Sequence, residues 1–310
     1  MAVVPEGSLP AAEGKGVTIV ANLRRENIDE LISTLESLDA VGGRHLKVTV
    51  RDGFEIEGVP EHLAARLEAL LSELGVEHYT LERSPIHLTG CHHLFDCPRD
   101  LVGTESLTSR LSELVDESGV QGVLLDSVKG TVDPRTRLKV AVAGCTSSCN
   151  APQVQDFGVV AMAHPKVTET ACEAGCRACV DVCEDSAVSL ASGKPSIAAS
   201  KCTDCGQCMR VCPTGTLAVE KSGFEIFEGG RLGREPKVGT RVQEWASFEE
   251  VRTRLKKALS DIAYCLEPSA PASVEIKPEG VSLPGPHVPL ASVAGAKFHV
   301  LEPPRLTPRD

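Results

Sequence analysis

Twelve of the thirteen cysteines in this 310-residue chain stand in spaced groups, and their spacing is the most chemically specific feature of the sequence. Two groups are pairs, Cys91-x5-Cys97 and Cys145-x3-Cys149. Two are runs of four, Cys172-x3-Cys176-x2-Cys179-x3-Cys183 and Cys202-x2-Cys205-x2-Cys208-x3-Cys212, with Pro213 directly after the last. Thiols gather either to form disulfides or to hold metal, and the compartment decides between these. The first residues, MAVVPEGSLPAAEGKG, lack the basic start and apolar stretch of an export signal, and no apolar run is long enough to span a bilayer. The chain is therefore expected in the cytoplasm, without membrane insertion, where disulfides are rare. The grouped cysteines read as metal ligands, and the isolated Cys265 as an ordinary thiol.

Zinc needs four ligands per ion and usually takes them as two well-separated pairs. Two dense runs of four, the second ending in Cys-Pro, instead follow the spacing of a bacterial two-cluster ferredoxin, in which the fourth cysteine of a run serves the other cluster. That rule assigns one [4Fe–4S] cluster to Cys172, Cys176, Cys179 and Cys212. It assigns a second to Cys202, Cys205, Cys208 and Cys183. The remaining four cysteines suffice for a third cubane, but their spacing is not that of a ferredoxin.

The elements that must position these ligands are readable from periodicity. Residues 17–80 give the order β-α-β-β-α-β of a ferredoxin-like half-domain. GVTIVAN is a strand, and the helix after it places Ile28, Leu31, Ile32, Leu35 and Leu38 on one face. HLKVTV and FEIEGV form a hairpin turned at Asp52-Gly53, a helix runs from Pro60 to Leu74 and closes at Gly75, and VEHYTL returns as a strand. Residues 81–164 carry both cysteine pairs, with a helix near 105–117. The strand LKVAVAG leads into Cys145, and the strand DFGVVAMA follows Cys149. Residues 165–221 are the inserted cysteine-rich domain. Residues 222–264 resume the interrupted domain and end in a helix capped by Ser247 with Glu250. Residues 265–310 form a proline-rich arm. The expected class is α+β in these parts.

The C-x5-C…C-x3-C arrangement resembles the nitrite and sulfite reductase family, which uses it to hold a [4Fe–4S] cluster coupled to sirohaem. Further likeness lies in PRTRLKVAVAGCTSSC, VQDFGVVA, VTVRDGFEIEGV and GGRLGREPKVG, and covers residues 17–264. With a ferredoxin insert, the pattern is similar to anaerobic and dissimilatory-type sulfite reductase subunits. The resemblance implies three [4Fe–4S] clusters and sirohaem, with Cys149 as the thiolate bridging cluster and haem iron. It also implies basic residues around an anionic substrate: Arg137 and Lys139 from the Lys-x-Lys position, Arg51 from Thr-x-Arg, and Arg83 upstream of Cys91. Two features depart from the family. Its Arg-x-Pro-Gly-Gly segment is replaced by ANLRREN, with Arg24 and Arg25, and its Pro-Gly after the first cysteine by His92-His93.

The implied activity is six-electron reduction of sulfite to sulfide under anaerobic conditions, with electrons entering through the insert from a donor protein or subunit. Nitrite or another small oxyanion is the substrate alternative. An iron–sulfur electron carrier without catalytic haem is the alternative of a different class. A net charge of −11 with no basic stripe argues against nucleic acid as a partner. Because one ferredoxin-like half is visible, a homo- or hetero-oligomer is expected to complete the haem cleft.

Overall fold

The computed structural model describes residues 16–21, 29, 45–49, 53–76, 78–91, 97–127, 137–232, 235–266, 276–277 and 280–281. The chain divides into two units, residues 1–84 with 92–98, and residues 85–91 with 99–310.

In the first unit, strands β1 (Val17–Ala21), β2 (His45–Thr49), β3 (Gly53–Val59) and β4 (His78–Thr80) form an antiparallel sheet in the order β2-β3-β1-β4. Strand β1 lies between β3 and β4, as the split βαβ order requires. Pro60 opens α1 (Glu61–Glu73), because its fixed φ suits a helix start and its missing N–H would be unbonded there. Gly75, at φ +65°, takes the left-handed turn that ends it. Ala64, Leu67 and Leu71 recur at helical spacing and bury against Ile19 and Ile56, and each fully buried leucine contributes about 1.5–3 kcal/mol. The helix expected over residues 27–38 lies outside the described residues, apart from helical Asp29.

The second unit is built on a five-stranded sheet. Its strands β5 (Ile86–Gly90), β6 (Leu138–Ala143) and β7 (Phe157–Val167) run parallel, and β10 (Leu217–Glu228) and β11 (Thr240–Ala246) continue antiparallel. Their order is β11-β10-β7-β6-β5. Helices α2 (Thr104–Glu117), α3 (Val120–Ser127) and α6 (Phe248–Leu266) contribute Leu111, Val120, Leu255, Leu259 and Ile262 to one core with Val140, Phe157 and Ile226 of the strands. The α6 start is the expected box: Glu250 N–H donates to Ser247 Oγ at 3.3 Å, and Ser247 N–H donates to Glu250 Oε2 at 2.7 Å. Strand β5 and helix α3 lie outside the elements expected from periodicity.

The two family-like motifs DFG and GGRLGREPKVG are structural at the leading end of β7. Asp156, 4% exposed, accepts the backbone N–H of Lys139 at 2.8 Å and so ties β6 to β7. A Cβ at Gly158 would fall 2.2 Å from the Pro152 carbonyl oxygen, so the 3-10 turn Pro152–Val154 can lie there only over glycine. Gly229 N–H then donates to Asp156 O at 2.9 Å and Gly239 N–H to Gln153 O at 2.7 Å.

The insert is carried on the β7–β10 ribbon. Leu217 pairs with Val167, and Thr168 N–H donates to Thr216 O at 2.7 Å, closing a neck just beyond the strands. The strands thus run past residues 165 and 221, and the cysteine-rich body spans 168–216. It holds α4 (Ala178–Asp181), the hairpin β8 (Val188–Ala191) and β9 (Lys194–Ile197), and α5 (Gln207–Arg210). Strands β12 (Ile276–Lys277) and β13 (Gly280–Val281) form a short antiparallel pair within the proline-rich segment. Among the described residues no helix is long and apolar enough to cross a membrane.

Candidate metal centres

Parallel pairing places two cysteines side by side. Gly90 pairs with Val142, so Cys91 follows the end of β5 where Gly144-Cys145 follow the end of β6. Cys91 N–H donates to Val142 O at 2.7 Å, and Gly144 N–H points at Cys91 Sγ at 3.2 Å. The close approach depends on Gly144, because a Cβ there would fall 2.0 Å from Thr104 Oγ1 and 2.4 Å from Asp100 Oδ1. Asp100 in turn caps α2, accepting Thr104 N–H at 2.8 Å and Thr104 Oγ1–H at 3.0 Å. Asn150, 4% exposed, donates from Nδ2 to Val142 O at 3.0 Å and Thr89 O at 3.3 Å, pinning the ends of both strands.

Beyond Cys145 the chain turns tightly. Ser148 adopts φ +50°, and its N–H donates to Cys145 O at 3.2 Å. The turn separates the environments of its two thiols: Cys145 is buried, whereas Cys149 alone among the described cysteines is exposed. Cys97 is half-buried and groups with the first unit. His92 and His93, like Arg51, Arg24 and Arg25, lie outside the described residues, as does the side chain of Cys265.

In the insert the cysteines form two sets. Cys208 interacts electrostatically with Cys205, Cys202 and Cys183, and Cys179 with Cys172, Cys212 and Cys176. The fourth cysteine of each run therefore stands with the other run. Burial first, then the neighbouring thiols, push Cys208 up to about 12, and the same causes raise Cys179. Burial likewise raises Cys91 and Cys202. At Cys212 burial acts upward, but the Leu217 N–H and the Thr214 hydroxyl outweigh it and hold the thiol below its ordinary value. Ala187 N–H points at Cys183 Sγ at 3.2 Å and Leu217 N–H at Cys212 Sγ at 3.4 Å.

This donor set fits iron–sulfur clusters. Thiolates gathered so closely repel one another without a cation, and a coordinating metal deprotonates them outright. Backbone N–H groups aimed at sulfur stabilise a negatively charged cluster. The insert's own core is Cys179, Val188, Cys208 and Leu217, so sulfur stands where a domain of this size would need apolar side chains.

The basic residues are placed differently. Arg137 and Lys139 precede and begin β6, whereas Cys145 follows its far end, and six extended residues from Lys139 to Cys145 span roughly 20 Å at about 3.3 Å per residue. The structure does not bring this pair to the cysteines, and Arg137 is buried at 4% exposure with interactions of its own. Arg83 is exposed in the first unit, where its guanidinium pairs with Glu61.

The residue at the cysteine end that sequence reasoning missed is Arg99. It donates to Ser147 Oγ at 3.3 Å, inside the C-x3-C turn, and forms a two-point pair with Glu184, directly after Cys183. The hydrogen bond to Glu184 raises the Arg99 pKa further above its ordinary range and lowers that of Glu184. Only its position two residues after Cys97 marked it in the sequence.

Residues 127–261 match the family described as the nitrite and sulphite reductase 4Fe-4S domain. The coenzyme F420-dependent sulfite reductase of Methanocaldococcus jannaschii is 28% identical over 234 residues, covering 76% of this chain and 34% of that protein. An anaerobic sulfite reductase subunit of Salmonella typhimurium is 25% identical over 232 residues, covering 68% of this chain and 63% of the relative. The chain thus spans about a third of one curated relative and somewhat under two thirds of the other. The solved structure of dissimilatory sulfite reductase I aligns with a TM-score of 0.53 at 15% identity, over 89% of this chain and 65% of that one, which shows a shared fold.

Proposed function

We propose that this chain, whose residues 127–261 match the nitrite and sulphite reductase 4Fe-4S domain, is a member of that family and carries out sirohaem-dependent reduction of sulfite to sulfide, with electrons entering through the inserted ferredoxin domain. The observation that carries this reading is the contrast inside the C-x3-C turn. Cys145 is buried at the strand end while Cys149 faces outward, where its thiolate would be open to a second iron centre. Cys91, Cys97, Cys145 and Cys149 would hold one [4Fe–4S] cluster, and the two interleaved insert sets would hold two more. When bound, sirohaem supplies the iron at which a small oxyanion is reduced. The chain's own part is to fix Cys91 and Cys145 through Asn150, Gly144 and the Asp100-capped helix, and to present Cys149 at the surface. Sulfite is favoured over nitrite because both curated relatives carry sulfite reductase names. The partners are an electron-donor protein or subunit and a second chain or copy that completes the site.

The placement of Arg137 and Lys139 roughly 20 Å along β6 from Cys145 favours a second reading, an electron-transfer subunit with three clusters and no haem. In that case the cations around sulfite belong to another subunit. The visible spectrum of anaerobically purified protein, with iron and sulfide assays, separates the two. Sirohaem gives a distinct absorption band in the red and iron near thirteen per chain, against about twelve for three cubanes alone. A spectrum with only broad iron–sulfur absorption after reconstitution with sirohaem would remove the reductase reading.

A further inference from the structure

Within the second unit the insert meets the ends of the parallel strands across a short polar seam at residues 99–100. From the insert, Gln207 Nε2 donates to Arg99 O at 3.4 Å and the Arg210 guanidinium donates to Asp100 O. Ala163 of β7 bridges to Cys205, with Ala163 N–H donating to Asp204 O at 2.8 Å. The Cys183/Cys202/Cys205/Cys208 set is therefore the one turned toward the C-x3-C turn. The Arg99 side chain spans the seam, with Ser147 on one side and Glu184 on the other, and it interacts electrostatically with both Cys145 and Cys205.

We propose that Arg99 is a positioning residue whose charge, held by Glu184 and Ser147 between two thiolate sets, favours the reduced state of the clusters on both sides, with Glu184 offsetting part of that effect. The inference rests on the reading that the cysteines hold iron–sulfur clusters. Adding one electron makes a cluster one charge more negative, and a fixed cation nearby lowers the free energy of that state. An exposed ion pair contributes little to stability by itself, and the Arg99 and Glu184 side chains are 36% and 68% exposed. A latch is therefore a poor reason for this pair, and the same solvent screening limits the charge's effect on the clusters to a modest shift. The alternative, a purely mechanical role, makes a different prediction. Loosening the seam from either side would disturb the clusters in the same direction, whereas charge removal at Arg99 and at Glu184 must act with opposite signs.

The test is a reductive titration of the full-length protein with clusters assembled, followed by electron paramagnetic resonance, after iron and sulfide content has been matched. In Arg99→Gln the one-electron reduction equilibrium should fall roughly three- to tenfold, about 30–60 mV toward more negative potential at 59 mV per decade. Glu184→Gln should move the potentials upward, and Arg99→Lys should stay nearer the parent than Arg99→Gln. Potentials that do not fall in Arg99→Gln, or that fall in both Arg99→Gln and Glu184→Gln, overturn the proposal. If Arg99→Gln does not retain iron, Glu184→Gln decides: a higher potential there supports the proposal, and an unchanged or lower one overturns it. A parent protein with no iron–sulfur signal would fail the cluster reading itself, a result distinct from unshifted potentials in loaded protein.

Discussion

The two cysteine sites of the second unit are held in opposite ways. Cys91 and Cys145 follow strands whose core runs from Ile86 through Leu111 and Phe157 to Ile262, while Asn150 holds the Val142 carbonyl and Gly144 N–H the Cys91 sulfur. Of the insert's eight cysteines, Cys179 and Cys208 lie in helices of four residues and the other six in loops, beside a short hairpin and around a core of those two cysteines, Val188 and Leu217. The strand-end site is built by the polypeptide and offered to metal. In the insert, metal must supply the cohesion that so few apolar side chains cannot. Cluster affinity and folding are thus separable at one site and inseparable at the other.

The strongest break of that contrast is metal removal. In apo protein, amide hydrogen exchange in residues 172–212 should rise to the rate of an unfolded chain, while β5, β6 and β7 keep their protection. Retained protection in β8 and β9 of the iron-free protein would show that the insert folds on its own core. Next in size is Cys149→Ser. This residue is exposed, so under the proposed reading its loss should abolish the haem-linked signal and sulfite turnover. No more than about a third of the iron should go with it, since two of the three proposed cubanes lie elsewhere. Turnover near the parent rate would remove Cys149 from the bridging role.

Gly144→Ala sharpens the same contrast from the protein side. Its Cβ would lie 2.0 Å from Thr104 Oγ1, so either the α2 start or the end of β6 must shift. Overpacking of this kind costs about 1–3 kcal/mol, and a unit of this size should lose roughly 2–4 °C of melting temperature per kcal/mol. Melting should fall without loss of insert clusters. An unchanged melting temperature would mean that the strand end is softer than its hydrogen bonds suggest.

Local patterns made much of this legible in advance. The interleaved insert sets follow from ligand spacing alone, and the four strands and second helix of the β-α-β-β-α-β order from periodicities of two and 3.6 residues. The Ser247–Glu250 box sits within four residues of sequence. What escaped was long-range. Arg99 and Glu184 are 85 residues apart, Asn150 and Thr89 61 apart, and Gly144 and Cys91 53 apart, and nothing local to any of them announces the partner. Strand β5, only five residues long, buries its first and fourth positions and so lacks the alternation that marks a half-buried strand. Arg137 and Lys139 are a different case: they are read from the family's Lys-x-Lys position, and eight and six residues, most of them extended strand, separate them from Cys145.

That last point can be tested by the smallest expected effect. Lys139 is half-buried on β6, and the hydrogen bond that ties this position to Asp156 comes from its backbone N–H, which alanine keeps. A side chain roughly 20 Å along the strand from Cys145 interacts with an anion near Cys149 only weakly, because at that separation and an effective dielectric near 80 two unit charges are worth about 0.2 kcal/mol before salt screening. Lys139→Ala should therefore change apparent sulfite affinity by less than about twofold and stability by no more than about 0.5 kcal/mol. Steady-state sulfite reduction with a small-molecule reductant, over a range of sulfite concentrations, measures the first, and urea unfolding the second. A loss of tenfold or more in apparent affinity at unchanged cluster content would place the anion's cationic shell at the leading end of β6. The sequence motif would then be a better guide to the substrate than the strand that separates it from the cysteines, and the electron-carrier reading would lose the observation that favours it.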